Sequence, residues 1–339
     1  MTEKPKILVI RLREIGDTIL LTPMLRQLKR LHPASTLDVV CEDRNSAVLR
    51  HNPHVDKLIP LPRKASVWRF LQFANRLWRE NYDLVVDSQA MPKTAVLARF
   101  TNARRRLGFK YPWLRDRLCY TAPYLRSRAQ YTAVSNLELL QDDRVDFTDL
   151  RLEVPTDKTS EHASEPIVRI AAGRAIVAIN PATRFEERRW TYEGYALIAD
   201  RLSKKGFLPL ILYGPGEREA AENVAQRMTE PCLIDYATPS FLELGCILSK
   251  CELYVGNDGG PKHLAIASGV STVTVFGHSP DPWTPWANPK HRVIASAKTG
   301  HAIQSCGEVI LEAPSIQAIP VERVWRQVEI ALGLQKQAA

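Results

Sequence analysis

No stretch of the chain approaches the roughly 20 consecutive apolar residues that a bilayer-spanning helix requires. The charged opening Met1-Thr2-Glu3-Lys4-Pro5-Lys6 gives way to only a short apolar run before Arg11, so neither a signal peptide nor a membrane anchor is expected. The six cysteines (Cys41, Cys119, Cys232, Cys246, Cys251 and Cys306) form no C-x-x-C pair and stand mostly inside strand or helix patterns, as small buried hydrophobes do. They fit a reducing, cytoplasmic setting. No G-x-G-x-x-G follows the first apolar run, which disfavours a dinucleotide oxidoreductase, and no His, Cys or carboxylate spacing suggests a metal site. Internal repeats and low-complexity tracts are absent too.

What is there is apolar material for more than one core: 45% of 339 residues are hydrophobic, and two domains are the natural expectation. The formal net charge of +9 favours anionic partners: phosphorylated lipids, membrane surfaces, nucleotides or nucleic acid. Charge alone does not choose among them.

Apolar β-rich runs alternate with helical patterns from the start. A strand over 7–10, a helix over 18–31 and a strand over 37–41 open the chain as β-α-β. Strands over 57–61, 84–87 and 106–108 follow, with helices over 67–80 and 95–100 between them, which implies a largely parallel sheet. The segment 155–166 is polar and rich in breakers and reads as an exposed linker. We therefore expect an α/β protein of two doubly wound, Rossmann-like domains, 1–155 and 169–339, joined by a linker over 156–168. The second domain carries strands over 176–179, 209–213, 253–255 and 272–276. Helices are expected over 192–205, 217–228, 240–250 and 261–267, with a C-terminal helix over 321–332 opened by Pro320. Two such domains make a cleft, and ligands of open α/β sheets sit outside the carboxyl ends of strands.

The loops at those strand ends hold the candidate chemistry. Gly256-Asn257-Asp258-Gly259-Gly260-Pro261-Lys262-His263 reads as a strand-to-helix anion cradle suited to a diphosphate, or as an ordinary turn capped by Asp258. Thr183-Arg184-Phe185-Glu186-Glu187-Arg188-Arg189-Trp190 either neutralises a leaving phosphate or is a solvated loop of paired charges. Glu217, after Tyr213-Gly214-Pro215-Gly216, is placed to hold ribose hydroxyls or simply to start a helix. In the first domain Asp17 is a candidate catalytic base or a helix N-cap, and Asp87-Ser88-Gln89 is a second polar strand terminus. The aromatic set Trp68, Phe70, Phe73 and Trp78 reads as core. The cluster Arg104-Arg105-Arg106 with Lys110, Arg115 and Arg117 either meets acceptor phosphates or solvates a face.

Taken in order, 7–23, 82–89, 183–190, 213–217 and 255–277 resemble the motifs of glycosyltransferase family 9, the lipopolysaccharide heptosyltransferases. The most specific parts are Asn257-Asp258-Gly259-Gly260-Pro261-Lys262-His263-Leu264-Ala265 with Thr274-Val275-Phe276-Gly277, and the opening Arg11-Leu12-Arg13-Glu14-Ile15-Gly16-Asp17. The resemblance implies a GT-B fold whose first domain binds the acceptor and whose second binds the nucleotide sugar. It also implies an inverting, metal-free transfer from ADP-L-glycero-D-manno-heptose to the inner core of lipopolysaccharide. Asp17 matches the family's proposed general base, and Asp258, Gly259, Gly260 and His263 its donor loop, with Thr183 and Glu217 as further donor contacts. Arg188 stands where many members carry lysine, and Gly259 where many carry threonine or serine. Lys262 and Arg188 would meet the charge growing on the diphosphate. Arg11, Arg13, Asp87, Gln89 and Lys93 are the candidate acceptor contacts. No cofactor, no metal and no nucleic acid are expected; peripheral contact with the inner face of the inner membrane is compatible with such an acceptor. The competing readings are a family 9 transferase using another nucleotide sugar or acceptor, a nucleotide-sugar epimerase of the same shape, and a bilobed binding protein, the last disfavoured because such proteins are usually exported.

Overall fold

The apolar runs become two parallel sheets in the computed structural model, which describes residues 4–110, 118–127, 130–234, 236, 238, 240–286, 288–296, 307–310 and 313–334. The chain divides into a unit Met1–Pro155 and a unit Thr156–Ala339. In the first unit, strands β1 (Lys6–Ile10), β2 (Thr36–Glu42), β3 (Lys57–Leu61), β4 (Leu84–Asp87), β5 (Arg105–Phe109) and β6 (Ala122–Tyr124) form one sheet, ordered β3-β2-β1-β4-β5-β6. Every pairing is parallel. Leu8, Ile10, Val40, Ile59 and Val85 bury one face together with Leu77 and Leu97 from the covering helices. Strands covered on both faces read as continuous apolar runs, which is why they were visible in the sequence.

The second unit repeats the plan with β7 (Ile176–Asn180), β8 (Leu208–Ile211), β9 (Cys251–Asn257), β10 (Ser271–Phe276), β11 (His291–Ser296) and β12 (Gly307–Ile310). Their order is β12-β11-β10-β9-β7-β8, again all parallel. Its core joins Val177, Ile179, Val255 and Val275 to Trp190, Ile198, Val324 and Val328. The last two come from the C-terminal helix Val321–Ala331.

Several expectations need correction. The helix expected over 18–31 is two, Ile15–Ile19 and Thr22–Leu31, because Pro23 lacks the N–H that a continuous helix would use and instead opens a new first turn. The supposed exposed linker 156–168 is folded into the second unit as helical turns Lys158–Glu161, His162–Ser164 and Glu165–Ala171. Its polar residues are caps: the Asp157 carboxylate accepts from the Ser160 N–H at 2.7 Å, and Pro166 falls in a first turn, where its missing N–H costs nothing. Of the aromatic set on the helix Val67–Arg79, Phe70 and Phe73 pack on the core, but Trp68 and Trp78 are exposed. In the arginine cluster, Arg106 is occupied by the Cys119 carbonyl at 2.7 Å and Arg105 by that of Leu140 at 3.3 Å. Arg115, Arg117 and Cys306 lie outside the described residues. Among the described residues no helix is long and apolar enough to cross a membrane.

Candidate active site

In the first sheet the chain leaves β1 toward β2 on one side, while β4 lies on the other, so the carboxyl end of β1 is the topological switch point. The turn that follows is stitched to both neighbours. The Arg11 N–H donates to the Val40 carbonyl at 2.9 Å, and the Leu12 carbonyl accepts from Glu42 N–H at 3.1 Å and from Asn45 Nδ2 at 2.7 Å. From the β4 side, Gln89 Oε1 accepts from the N–H groups of Leu12 at 2.6 Å and Arg13 at 3.1 Å.

This scaffold buries the Arg11 guanidinium and fixes its direction. Nε donates to the Arg13 carbonyl at 2.8 Å, Nη1 to the Ser88 carbonyl at 2.7 Å, and Nη2 pairs with Asp17 Oδ2. The other carboxylate oxygen of Asp17, Oδ1, is buried and has no hydrogen-bond partner among the described residues. Asp17 sits inside the first turn of Ile15–Ile19, and the N-cap position belongs to Glu14, so Asp17 does not cap this helix. A half-buried carboxylate held by one oxygen and unpartnered at the other can accept a proton.

The remaining acceptor candidates divide. Arg13 and Gln89 belong to the same network, with Arg13 Nε also paired to Glu42 at 2.9 Å. Asp87 is fully buried: Tyr120 Oη donates to its Oδ2 at 2.6 Å, and the N–H groups of Gln89 and Ala90 donate to Oδ1 at 3.0 and 3.2 Å. Burial pushes the Asp87 carboxyl up, against the opposing pull of these donors. Asp87 therefore positions the Gln89 turn from the interior and presents no oxygen to a ligand, which corrects its assignment as an acceptor contact. Tyr120 reaches it only because Gly108 has no side chain; a Cβ there would lie 2.3 Å from the tyrosine ring. Lys93 lies in the first turn of the helix Pro92–Phe100, four residues after Gln89, its Nζ 5.6 Å from the centroid of Phe70.

In the second sheet the switch point lies between β7 and β9. Asn257, the last residue of β9, ties the two following loops together: its Oδ1 accepts from the Trp190 N–H and its Nδ2 donates to the Pro181 carbonyl, both at 3.0 Å. Trp190 is fully buried and anchored by Nε1 to the Ile319 carbonyl at 3.0 Å. The loop between these fixed ends carries Thr183, half-buried, and Arg188, exposed. Arg188 stacks on Phe185 at 4.8 Å and has no carboxylate partner among the described residues, whereas Glu186 is taken by Arg189 at 2.7 Å. A Cβ on Gly277, just past β10, would stand 3.5 Å from the Glu187 carbonyl, so this loop borders the end of β10 as well.

Asp258 follows β9 and is surrounded by cationic or ionisable nitrogen: Lys262 Nζ at 2.5 Å, His278 Nε2 at 3.3 Å and His263 Nε2 at 4.0 Å. Burial opposes its ionisation, but the Lys262 charge and then the His278 hydrogen bond hold the carboxyl well below the usual carboxylate range. Lys262 is itself buried, its ammonium also donating to the Trp283 carbonyl at 2.8 Å and lying 4.9 Å from the centre of the Phe276 ring. The expectation that Lys262 touches the diphosphate is thus corrected: it neutralises Asp258 from within. Burial and the neighbouring Lys262 charge push His263 well below the usual imidazole range, so its ring is neutral. With the Asp258 charge cancelled, the partial positive end of the helix Gly260–Ala267 is left uncompensated. The N–H groups of Gly260 and Lys262, Pro261 having none, lack carbonyl partners a turn earlier. Gly259 is in extended backbone, φ 165°, and a Cβ there would meet only Pro261 Cδ at 3.8 Å, so neither conformation nor space demands glycine.

Glu217 is exposed and folds back, its Oε2 accepting from the Gly214 N–H at 3.0 Å. His278 was not singled out from the sequence, although it stands just beyond the strand ending Thr274-Val275-Phe276, where the strand-end rule would have found it. Among the described residues no group of three His, Cys, Asp or Glu side chains is arranged to hold a metal ion.

The family model of glycosyltransferase family 9 (heptosyltransferase) matches residues 70–307. Lipopolysaccharide heptosyltransferase 3 of Escherichia coli is 24% identical over 285 residues, 80% of this chain and 84% of its own length. Among solved structures, the glycosyl transferase family 9 protein of Veillonella parvula superposes with a TM-score of 0.79 at 21% identity, covering 99% of each chain. The E. coli ADP-heptose LPS heptosyltransferase II gives 0.75 at 20% identity, covering 97% of this chain and 99% of that one. These structural likenesses carry the fold, that of the GT-B transferases, in agreement with the two parallel-sheet units. The family match carries more, and the chain, a glycosyltransferase, belongs to glycosyltransferase family 9, the heptosyltransferase family.

Proposed function

We propose that the protein transfers heptose, with inversion and without a metal ion, from ADP-L-glycero-D-manno-heptose to the Kdo- or heptose-bearing inner core of lipopolysaccharide. The observation that carries this reading is the Asp17 carboxylate, oriented by Arg11 through one oxygen while the other has no partner. In the reaction, an acceptor hydroxyl attacks the anomeric carbon and Asp17 Oδ1 takes its proton. The bond to ADP breaks on the opposite face, and a single displacement of this kind inverts the configuration.

The leaving diphosphate would rest on the amides of Gly260 and Lys262, with Arg188 supplying full positive charge from the neighbouring loop. Asp258 and His263 shape that loop, and Thr183 and Glu217 would contact the rest of the donor. Arg13, Gln89 and Lys93 are the side chains left to meet the acceptor. Cations and helix amides then do what a divalent ion does in other transferases, so ADP binding and transfer should persist in EDTA. The reading is tested by incubating the protein with ADP-heptose and a truncated, Kdo-bearing core lipid, with mass spectrometry of the lipid and NMR of the new linkage. A lipid heavier by one heptose, with inverted linkage and made equally well in EDTA, is expected. Conversion of the donor without acceptor, or activity restored only by Mg²⁺, would overturn it.

A further inference from the structure

The helix Val67–Arg79 presents a surface that the transfer reaction does not use. Advancing about 100° per residue from Val67, its sequence sorts into three sectors. Phe73, Leu77, Phe70 and Ala74 fall between about 240° and 340° and face the core. Trp78, Leu71 and Trp68 share the first 100° or so with Val67. They are exposed, Val67 at 78%, Trp68 at 71% and Trp78 at 52%. Arg79, Arg76 and Arg69 occupy roughly the next 100°, all exposed. Arg63 and Lys64 lead into the helix and are exposed as well.

None of these five cations has an ion-pair partner among the described residues, and neither this helix nor the adjoining Pro92–Phe100 contains a carboxylate. The second helix packs against the first and exposes Val96 and Phe100, with Met91 exposed just before it and Arg99 beside them. An exposed tryptophan stripe flanked by unpaired arginines has both parts of an interfacial anchor: rings that sit at headgroup depth, and cations that snorkel to lipid phosphate. A protein partner would have to bring carboxylates into register with these cations, whereas an anionic bilayer supplies the matching charge across the whole face.

We propose that this face docks the enzyme on an anionic lipid bilayer, with Trp68, Leu71 and Trp78 entering the headgroup region and Arg69, Arg76 and Arg79 meeting lipid phosphates. The docking goes beyond the transfer reaction and is read without it.

The test is sedimentation of the full chain with vesicles of phosphatidylethanolamine and phosphatidylglycerol, or of phosphatidylcholine alone. It compares wild type with the pair Trp68→Ser and Trp78→Ser and with the pair Arg69→Glu and Arg76→Glu. Wild type should bind the anionic vesicles, less so at high salt, and each double variant should bind roughly tenfold or more weakly with an unchanged melting curve. Absence of wild-type binding would overturn the proposal, as would equal binding to phosphatidylcholine or variants that bind like wild type. So would a concentration-dependent dimer, abolished by Trp68→Ser and Trp78→Ser without any vesicle binding, which would assign the face to self-association. Transfer to a water-soluble acceptor fragment, measured beside it, separates failure of docking from failure of the proposed reaction.

Discussion

Asp17, in the helix that follows β1, and Asp258, directly after β9, each lie beyond the carboxyl end of a strand that borders the switch point of its own sheet. Their surroundings differ. Asp17 has one cation, Arg11, on one oxygen and nothing on the other. Asp258 has Lys262 on one oxygen and His278 on the other, with His263 a little further off. A carboxylate crowded by positive charge gives up its basicity and becomes a fixed counter-ion; one with an unpartnered oxygen keeps a place for a proton. Asp87, also at a strand end, shows the third outcome: full burial, all its acceptor capacity spent on Tyr120 and the following amides. The role of a carboxylate beside a switch point is set by which of its oxygens is left without a partner.

Removing the Asp258 charge should break this contrast most severely. Asp258→Asn leaves the buried Lys262 ammonium without its counter-charge, a loss of about 3–5 kcal/mol where a buried pair is cut. The melting temperature should drop and ADP affinity with it; unchanged melting would mean that Lys262 does not rely on Asp258.

His291 reports on the same interior. Burial first, then the charges of Lys262 and Lys290, pushes it down to about 4. Its folded value lies below the unfolded one, so the unfolded chain takes the proton first as pH falls below about 6.5, and stability is lost in that direction. Between pH 7 and pH 5 this histidine should cost about 2 kcal/mol, and His291→Gln should flatten that part of the curve by the same amount. Denaturant titrations at the two pH values measure it; parallel losses in both proteins would contradict it.

Arg188 sharpens the donor side with a smaller effect. Having no carboxylate to release, Arg188→Ala should weaken ADP binding by about tenfold, and Arg188→Lys should restore most of it, because charge is kept and only the planar fork is lost. Calorimetry showing wild-type affinity for Arg188→Ala would return the loop to solvent.

Most of the strands, and the loops that follow them, were legible because buried parallel strands write themselves as apolar runs and the chemistry gathers at their ends. Burial was not legible. Asp87 reads the same whether exposed or sealed, and what seals it, Tyr120 over Gly108, comes from the next strand and the chain beyond it. Lys262 looked like a phosphate ligand because its partner Asp258 is a local i,i+4 neighbour that spacing could not distinguish from a second ligand. Trp68 and Trp78 share a helical pattern with Phe70 and Phe73, and assigning all four to the core ignored that one helix buries only one stripe. Over 156–168 the sequence reads as a linker because capping residues and linker residues are the same amino acids.

The central claim is that the unpartnered oxygen of Asp17 takes the acceptor's proton, and Asp17→Asn tests it most directly. Asparagine keeps the size of the side chain, and an oxygen that can face Arg11, but its amide cannot accept the proton. With saturating donor and acceptor, kcat should fall by roughly 10²–10⁴, while the ADP titration and the melting curve stay near those of wild type. Turnover within a few-fold of wild type would contradict the account and take Asp17 out of the reaction.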